Sequence, residues 1–175
     1  MKKLNNYSLK NFLKYFYKLF LTVCIFESGL KFKNVKKKGI YFFFIRTEKE
    51  FRKIRLLNEY FKKNFYKKNR FKKNSNFIGI RNNNSIISSG WIYFGKSWEV
   101  EEVNKKINLN GSYLLYDFFT EVKFRNKGYY KLLLKLIQSK FEKKKLVIYS
   151  LSHNLKSIRA IKNSGFQLIR KIRKY

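Results

Sequence analysis

The stretch FTEVKFRNKGYYKLLLKLI, Phe119 to Ile137, narrows the folds open to this chain. Residues of strand type run into Arg125-Asn126-Lys127-Gly128, and a leucine-rich helix starts at once. Tyr129, Leu132, Leu133, Leu136, Ile137 and Phe141 recur at spacings of three and four, the buried stripe of a well-anchored helix. A strand that enters a helix through a glycine-bearing loop is an anion-binding geometry. The first N–H groups of the helix have no internal partner, and the helix dipole adds partial positive charge there. Gly128 lets the backbone approach an anion closely, and Arg125 and Lys127 can add charge-assisted bonds. The loop contains no Gly-Lys-Ser or Gly-Lys-Thr and no GxGxxG, so it is neither a nucleotide P-loop nor a dinucleotide fingerprint.

Around this unit the chain alternates strand and helix signals. Leu9, Phe12, Leu13, Phe16, Phe20, Val23 and Cys24 recur at helical spacing between Ser8 and Glu27, with lysines on the other face. That pattern predicts a basic amphipathic helix, either packed on the domain or lying on a membrane surface. KFKNVKKKG then reads as a linker. IYFFFIR, Ile40 to Arg46, is a strand. TEKE is a capping box, with Thr47 and Glu50 opening a helix that carries Phe51, Ile54, Leu57 and Phe61 inward. Phe61 to Asn76 reads as a frayed end and a solvated loop, although its alternating rings and cations could also stack on single-stranded RNA. NFIGIR, NNN and SIISSGWIYF form a hairpin, Trp98 to Val103 is extended, NLNG is a turn, and SYLLYDFFT, Ser112 to Thr120, is a strand. Leu146 to Ser150 is a buried-type strand. NLKSIRAIKNSGF is a helix closed by Gly165, and FQLIRKI a last strand. This order predicts an α/β (α+β) domain with one central mixed sheet flanked by helices.

Composition adds less than its size suggests. The chain has 175 residues, and 42 Lys+Arg face 10 Asp+Glu, a formal net charge of +32. Alone, that charge points to nucleic acid, an anionic membrane or an acidic substrate. Yet the chain is crowded with Lys, Asn, Ile, Phe and Tyr, all with AT-rich codons, so much of the lysine carries no functional message. One cysteine, Cys24, excludes an internal disulfide and a CxxC metal site, and the single histidine, His153, excludes a histidine cluster; no metal is expected. His153 reads as a cap or surface residue. No apolar run reaches the length of a membrane span, and LFLTVCIF lacks a cleavage site, so the expected compartment is the cytoplasm.

Two motifs resemble the GNAT N-acetyltransferase superfamily. Its acyl-CoA motif is Arg or Gln, two residues, Gly, one residue, then Gly or Ala; RNKGYY supplies Arg125 and Gly128, with Tyr130 in the last position. Its second signature is an Asn, a helix and Gly-Phe, matched by Asn154, Ser157, Ala160 and Gly165-Phe166. The two cover roughly the last third of the chain. The resemblance implies a GNAT-like acyl-CoA-binding domain from 39 to 175 behind an added helix and linker, 1 to 38. It implies acetyl-CoA as co-substrate, its pyrophosphate on the N–H groups of Arg125, Asn126, Lys127, Gly128, Tyr129 and Tyr130. Pantetheine would run along the strand ending at Thr120, with Asn154 bonding it from the next, splayed strand. The reaction would be direct attack of a primary amine on the thioester, the bulky Tyr130 leaning the acceptor towards an amino sugar or similar small metabolite.

Two departures accompany the resemblance. Many members carry a tyrosine seven residues after the Asn as general acid; this chain has Ile161, leaving Tyr129, Tyr130 or solvent to stand in. The usual final strand is absent or very short. As general base, Asp117 lies mid-strand and by alternation shares a face with Leu115 and Phe119, which would raise its pKa through desolvation; its plain alternative is an ion pair with a lysine. Glu101 and Glu102 are the other candidates, as base or as binders of the amine. Two further readings stay open: a basic RNA- or ribosome-associated protein with nonspecific nucleic-acid affinity, and a GNAT scaffold without activity.

Overall fold

The computed structural model describes residues 21–29, 37–53 and 65–174. Its centre is a seven-stranded mixed sheet. In chain order the strands are β1 Thr22–Ser28, β2 Tyr41–Ile45, β3 Ser75–Arg81, β4 Ile86–Tyr93, β7 Tyr113–Thr120, β8 Leu146–Leu151 and β9 Phe166–Arg173; β5 Ser97–Val100 and β6 Lys105–Asn108 form a separate hairpin. Spatially the sheet runs β2-β3-β4-β7-β8-β1-β9. The helices are α1 Glu48–Arg52, α2 Tyr129–Lys140 and α3 Leu155–Lys162, with a 3-10 segment at Phe65–Lys72.

The sheet is covered on both faces. On one, Cys24, Phe26, Ile78, Leu115 and Ile148 pack under Leu133, Leu134 and Ile137 of α2 and Ile161 of α3. On the other, Val23, Ile25, Trp91, Leu114 and Val147 pack against Val100, Val103 and Ile107 of the β5–β6 hairpin region. The buried stripe of α2 is turned slightly from the expected one. Leu133, Leu134, Ile137 and Gln138 are its buried residues, while Tyr129, Leu132 and Leu136 are partly covered. Gln138 Nε2 donates to Leu134 O and to Ser164 O at 2.9 Å, tying α2 to the turn that closes α3.

Two local signals hold as read. Glu50 N–H donates to Thr47 Oγ1 at 3.2 Å; the Glu50 carboxylate accepts from Arg46 N–H, one residue earlier than in the standard box. Gly165 closes α3 at φ 94°. The reading of Ser8 to Glu27 as one helix is corrected: Thr22–Ser28 is a strand, and Ser8 to Phe20 lie outside the described residues. Val23 and Ile25 enter one core and Cys24 and Phe26 the other, all buried. A run apolar on both sides marks a strand inside a sheet rather than one face of a helix. β1 pairs antiparallel with β8 and with β9, in the place and direction of a strand hairpinning back after β9. The sheet therefore includes residues that precede the linker before position 39.

Two other expectations shift. The extended piece from Trp98 stops at Val100, and Glu101 and Glu102 lie in the turn leading to β6. Within the 3-10 segment, Phe71 is set edge-on to Trp91 with centroids 5.0 Å apart, so this ring serves the core and is not displayed for nucleic acid. Of the helix predicted to follow Thr47, Ile54, Leu57 and Phe61 lie outside the described residues. No helix among the described residues is long and apolar enough to cross a membrane.

Candidate active site

β7 and β8 run parallel and pair only from Tyr113–Leu115 to Leu146–Ile148. Beyond that they part, Tyr116 and Phe119 staying on β4, and Tyr149 to Leu151 on β1. Strands that splay leave backbone N–H and C=O groups along the gap with no ladder to satisfy them. The opening belongs to a cleft of about 1420 Å³.

A bulge lies on the other side of β7, where it pairs with β4. Trp91 faces Tyr116 and Ser89 faces Phe119, so Asp117 and Phe118 together oppose Gly90. Asp117 takes φ 50° to make the extra turn, and the Phe118 ring lies across Gly90, where a Cβ would come within 2.6 Å of it. The bulge breaks the alternation that places Asp117 with Leu115 and Phe119. Leu115 is fully buried, whereas Asp117 is exposed and ion-paired with Arg70. The desolvating environment expected for Asp117 is therefore absent, and an ion pair with Arg70 stands in its place. The Arg70 guanidinium also lies 5.3 Å from the centre of the Tyr116 ring.

At the mouth of the gap stands the loop that the sequence singled out. Asn126 and Gly128 both have positive φ, 60° and 76°. These two left-handed residues turn the chain so that α2 starts at Tyr129, with Gly128 O accepting from Leu132 N–H at 2.9 Å. Nothing lies within 4 Å of where a Gly128 Cβ would project, which leaves the approach open. Arg125 folds back: its Nε donates to Thr120 O at 3.0 Å, and its guanidinium stacks over Phe119 at 5.2 Å. Thr120, Arg125, Asn126, Gly128, Tyr129, Tyr130 and Asn154 all line the cleft. Lys127 is exposed and stands outside that lining.

Asn154 caps α3, its Oδ1 accepting from Ser157 N–H at 3.2 Å, which leaves its amide NH₂ for a ligand. The Tyr130 ring packs on Phe118 with centroids 5.6 Å apart. Burial pushes the Tyr130 phenol well above its usual range, against a hydrogen bond to Ser157 that pulls it down. Ile161 is fully buried under α2 and does not reach the cleft.

The carboxylates named from the sequence meet here. Glu101, Glu102 and Asp117 line the same cleft, joined by Glu99. The sequence reading missed Tyr149, Trp98, Arg70, Lys156 and Arg159. Tyr149 is pushed up to about 12, first by burial and then by the charge of Glu102, while a hydrogen bond with Trp98 acts the other way. Lys156 and Arg159, three apart in the first turns after Asn154, were the one pair with a readable signal. Arg125, Lys131, Lys156 and Arg159 enter the cleft from the loop and the helices, and the four carboxylates enter from the hairpin and the bulge, together with Arg70 and Lys73. No group of His, Cys, Asp and Glu among the described residues could hold a metal ion.

No protein-family model matches the chain, and no curated protein sequence matches it. Solved structures do. A protein assigned to the GNAT acetyltransferases of Novosphingobium aromaticivorans superposes with TM-score 0.58 at 11% identity, over 86% of this chain and 61% of that one. A GCN5-related N-acetyltransferase-like protein of Streptococcus suis gives 0.55 at 12%, over 95% and 66%. A GNAT-family acetyltransferase of Colwellia psychrerythraea gives 0.50 at 11%, over 90% and 58%. The chain thus spans about three-fifths of the length of these structures. The mixed sheet, the splay of its middle strands and the loop before α2 occur in a chain that shares their architecture: it has the GNAT N-acetyltransferase fold.

Proposed function

We propose that this protein is an acyl-CoA-dependent N-acetyltransferase that moves an acetyl group from acetyl-CoA to a primary amine of a small molecule. The observation that carries this reading is the open gap between β7 and β8 with an anion-binding loop at its mouth. The N–H groups of the loop from Arg125 to Tyr130 hold the pyrophosphate, aided by Lys156 and Arg159. Thr120 and the exposed backbone of β7 flank the pantetheine arm, and the Asn154 amide reaches it from the other side. The amine nitrogen attacks the thioester carbon, a C–N bond replaces the C–S bond, and the thiolate leaves. Asp117, Glu101 and Glu102 are the candidate acceptors of the amine proton, and backbone N–H groups at the bulge stabilise the oxyanion. With Ile161 in the core, the proton for the thiolate comes from Tyr130, Tyr129 or solvent.

Thermal stabilisation at near-physiological salt tests the reading. Acetyl-CoA should raise the melting temperature of the native chain, a polyphosphate of equal charge should not, and Gly128→Val should abolish the shift. Equal stabilisation by both anions, unaffected by the variant, would reduce the loop to nonspecific charge.

A further inference from the structure

Arg70 reaches the cleft from the 3-10 segment Phe65–Lys72, 47 positions before the aspartate it pairs with. We propose that Arg70 is a positioning residue, which pins Asp117 and so holds the bend of β7 beside the gap. What this does for acetyl transfer rests on the acetyltransferase reading.

β7 last pairs with β8 at Leu115, opposite Ile148. Trp91 and Tyr116 are the next pair in the ladder to β4, and the bulge of Asp117 and Phe118 follows at once. A bulge bends the strand that carries it, so the bend falls where β7 and β8 part. Asp117 takes φ 50° there, a left-handed conformation that a residue with a side chain keeps only when its surroundings hold it. The two bulge residues are held from opposite faces of the sheet. Phe118 lies across Gly90 and packs on Tyr130. Asp117 is held by its ion pair with Arg70.

An exposed ion pair alone would fix little, because a long side chain gives up its freedom for a screened attraction. Arg70 differs in what surrounds it. Its guanidinium lies 5.6 Å from the centre of the Trp91 ring and 5.3 Å from that of Tyr116. One planar group thus meets both members of the last ladder pair and the first residue of the bulge. The backbone beneath it is fixed as well. Arg70 O accepts from Lys73 N–H at 3.0 Å, and the neighbouring Phe71 is set edge-on to Trp91. Ser75 Oγ accepts from the Tyr116 hydroxyl at 3.0 Å and donates to Lys73 O at 3.2 Å, which ties the Tyr116 ring to the same segment. A carboxylate engaged in this way orients the backbone. That role takes Asp117 out of the candidates for the amine proton and leaves Glu101 and Glu102.

Hydrogen exchange of the full chain, followed by mass spectrometry of its peptides, tests the strut without any acceptor. Arg70→Gln should speed exchange about tenfold or more in the peptide spanning β7, and leave α2 unchanged. Acetyl-CoA should still stabilise this variant, because the N–H groups of the loop before α2 stay in place. Thiol release from acetyl-CoA, with butylamine as the acceptor, reads the consequence for transfer. Arg70→Gln should lower kcat about tenfold to a hundredfold, with KM for acetyl-CoA changed by less than about twofold. Asp117→Asn should match it, and the double variant should be no worse than either alone. Arg70→Lys should restore little, since an ammonium keeps the charge but neither the fork nor the contact with both rings. Unchanged exchange in β7 would overturn the proposal. So would additive losses, or a pH–rate profile whose acidic limb disappears in Asp117→Asn while Arg70→Gln stays fully active. Should acetyl-CoA fail to stabilise the native chain, the acetyltransferase reading falls, while hydrogen exchange still decides the strut.

Discussion

Gly128 and Gly90 are glycines for different reasons. Gly128 has open space beside it but φ 76°, so a side chain fits sterically and strains the backbone. Gly128→Ala should cost about 1 kcal/mol in thermal unfolding, with a larger loss of acetyl-CoA binding in the β-branched Val. At Gly90 the constraint is space: a methyl would meet the Phe118 ring at 2.6 Å. Gly90→Ala should cost about 1–3 kcal/mol, recovered in part by adding Phe118→Leu; an unchanged melting temperature for the single variant would mean that the ring does not lean on β4. Tyr149 makes a prediction in pH. Its folded pKa is raised from 10.0 to about 12. The stability this contributes is fully present below pH 10.0 and is lost as pH rises through the folded value, and Tyr116 and Tyr130 are raised in the same direction. Wild-type stability should therefore fall more steeply than that of Tyr149→Phe on the alkaline side, as followed by tyrosinate absorbance and unfolding together.

Among the elements, β1 does most for the site, although it contributes no residue to the cleft lining. It is hydrogen-bonded on both sides, to β8 and β9, and Ser28 Oγ accepts from Leu146 N–H at 3.0 Å, where β8 begins. Thr22 O accepts from Ser152 N–H at 2.8 Å at the other end of β8. β8 is held in its splayed position by this strand, since β7 releases it after Ile148. Ile25→Pro removes a ladder donor in mid-strand and should cost about 3 kcal/mol or more, taking acetyl-CoA stabilisation with it. Phe26→Ala, at a fully buried position, should cost about 3–5 kcal/mol. If Ile25→Pro melts at the wild-type temperature, β1 is dispensable to the sheet. The β5–β6 hairpin contributes Trp98, Glu99, Glu101 and Glu102 to the cleft lining. Its turn presents Glu101 and Glu102, while Val100, Val103 and Ile107 anchor it on the sheet.

For the molecule as a whole, charge dominates. A net charge of +32 repels itself within a compact fold. Raising salt from low to physiological levels screens that repulsion at distances beyond about 8–10 Å. The melting temperature of the free protein should therefore rise with salt, while acetyl-CoA affinity falls modestly, because in the proposed site the cofactor meets fixed N–H donors as well as cationic side chains. A salt-independent melting temperature would show that the lysines are too dispersed to matter. The fold distributes charge unevenly: four of the 10 Asp+Glu line one cleft, together with Arg70, Lys73 and cations of α2 and α3.

The features legible in the residues alone are local ones. Gly128, Asn154 and Gly165 can be read directly because a left-handed turn, a cap and a helix stop each depend on a few neighbours and on the chemistry of one side chain. The hairpin from Ser75 to Tyr93 and the strand–loop–helix at Arg125 are legible for the same reason. β1 is not, because its partners lie over 100 positions away, Glu27 facing Val147, and Val23 to Phe26 satisfy a helical spacing as readily as a buried strand. Asp117 escapes the pattern because alternation assumes an unbroken ladder, and the bulge opposite Gly90 arises from how β4 and β7 meet. The convergence of Glu99, Glu101, Glu102 and Tyr149 belongs to the same class. Nothing in the spacing of those residues brings them together; the packing of a hairpin over a splayed sheet does.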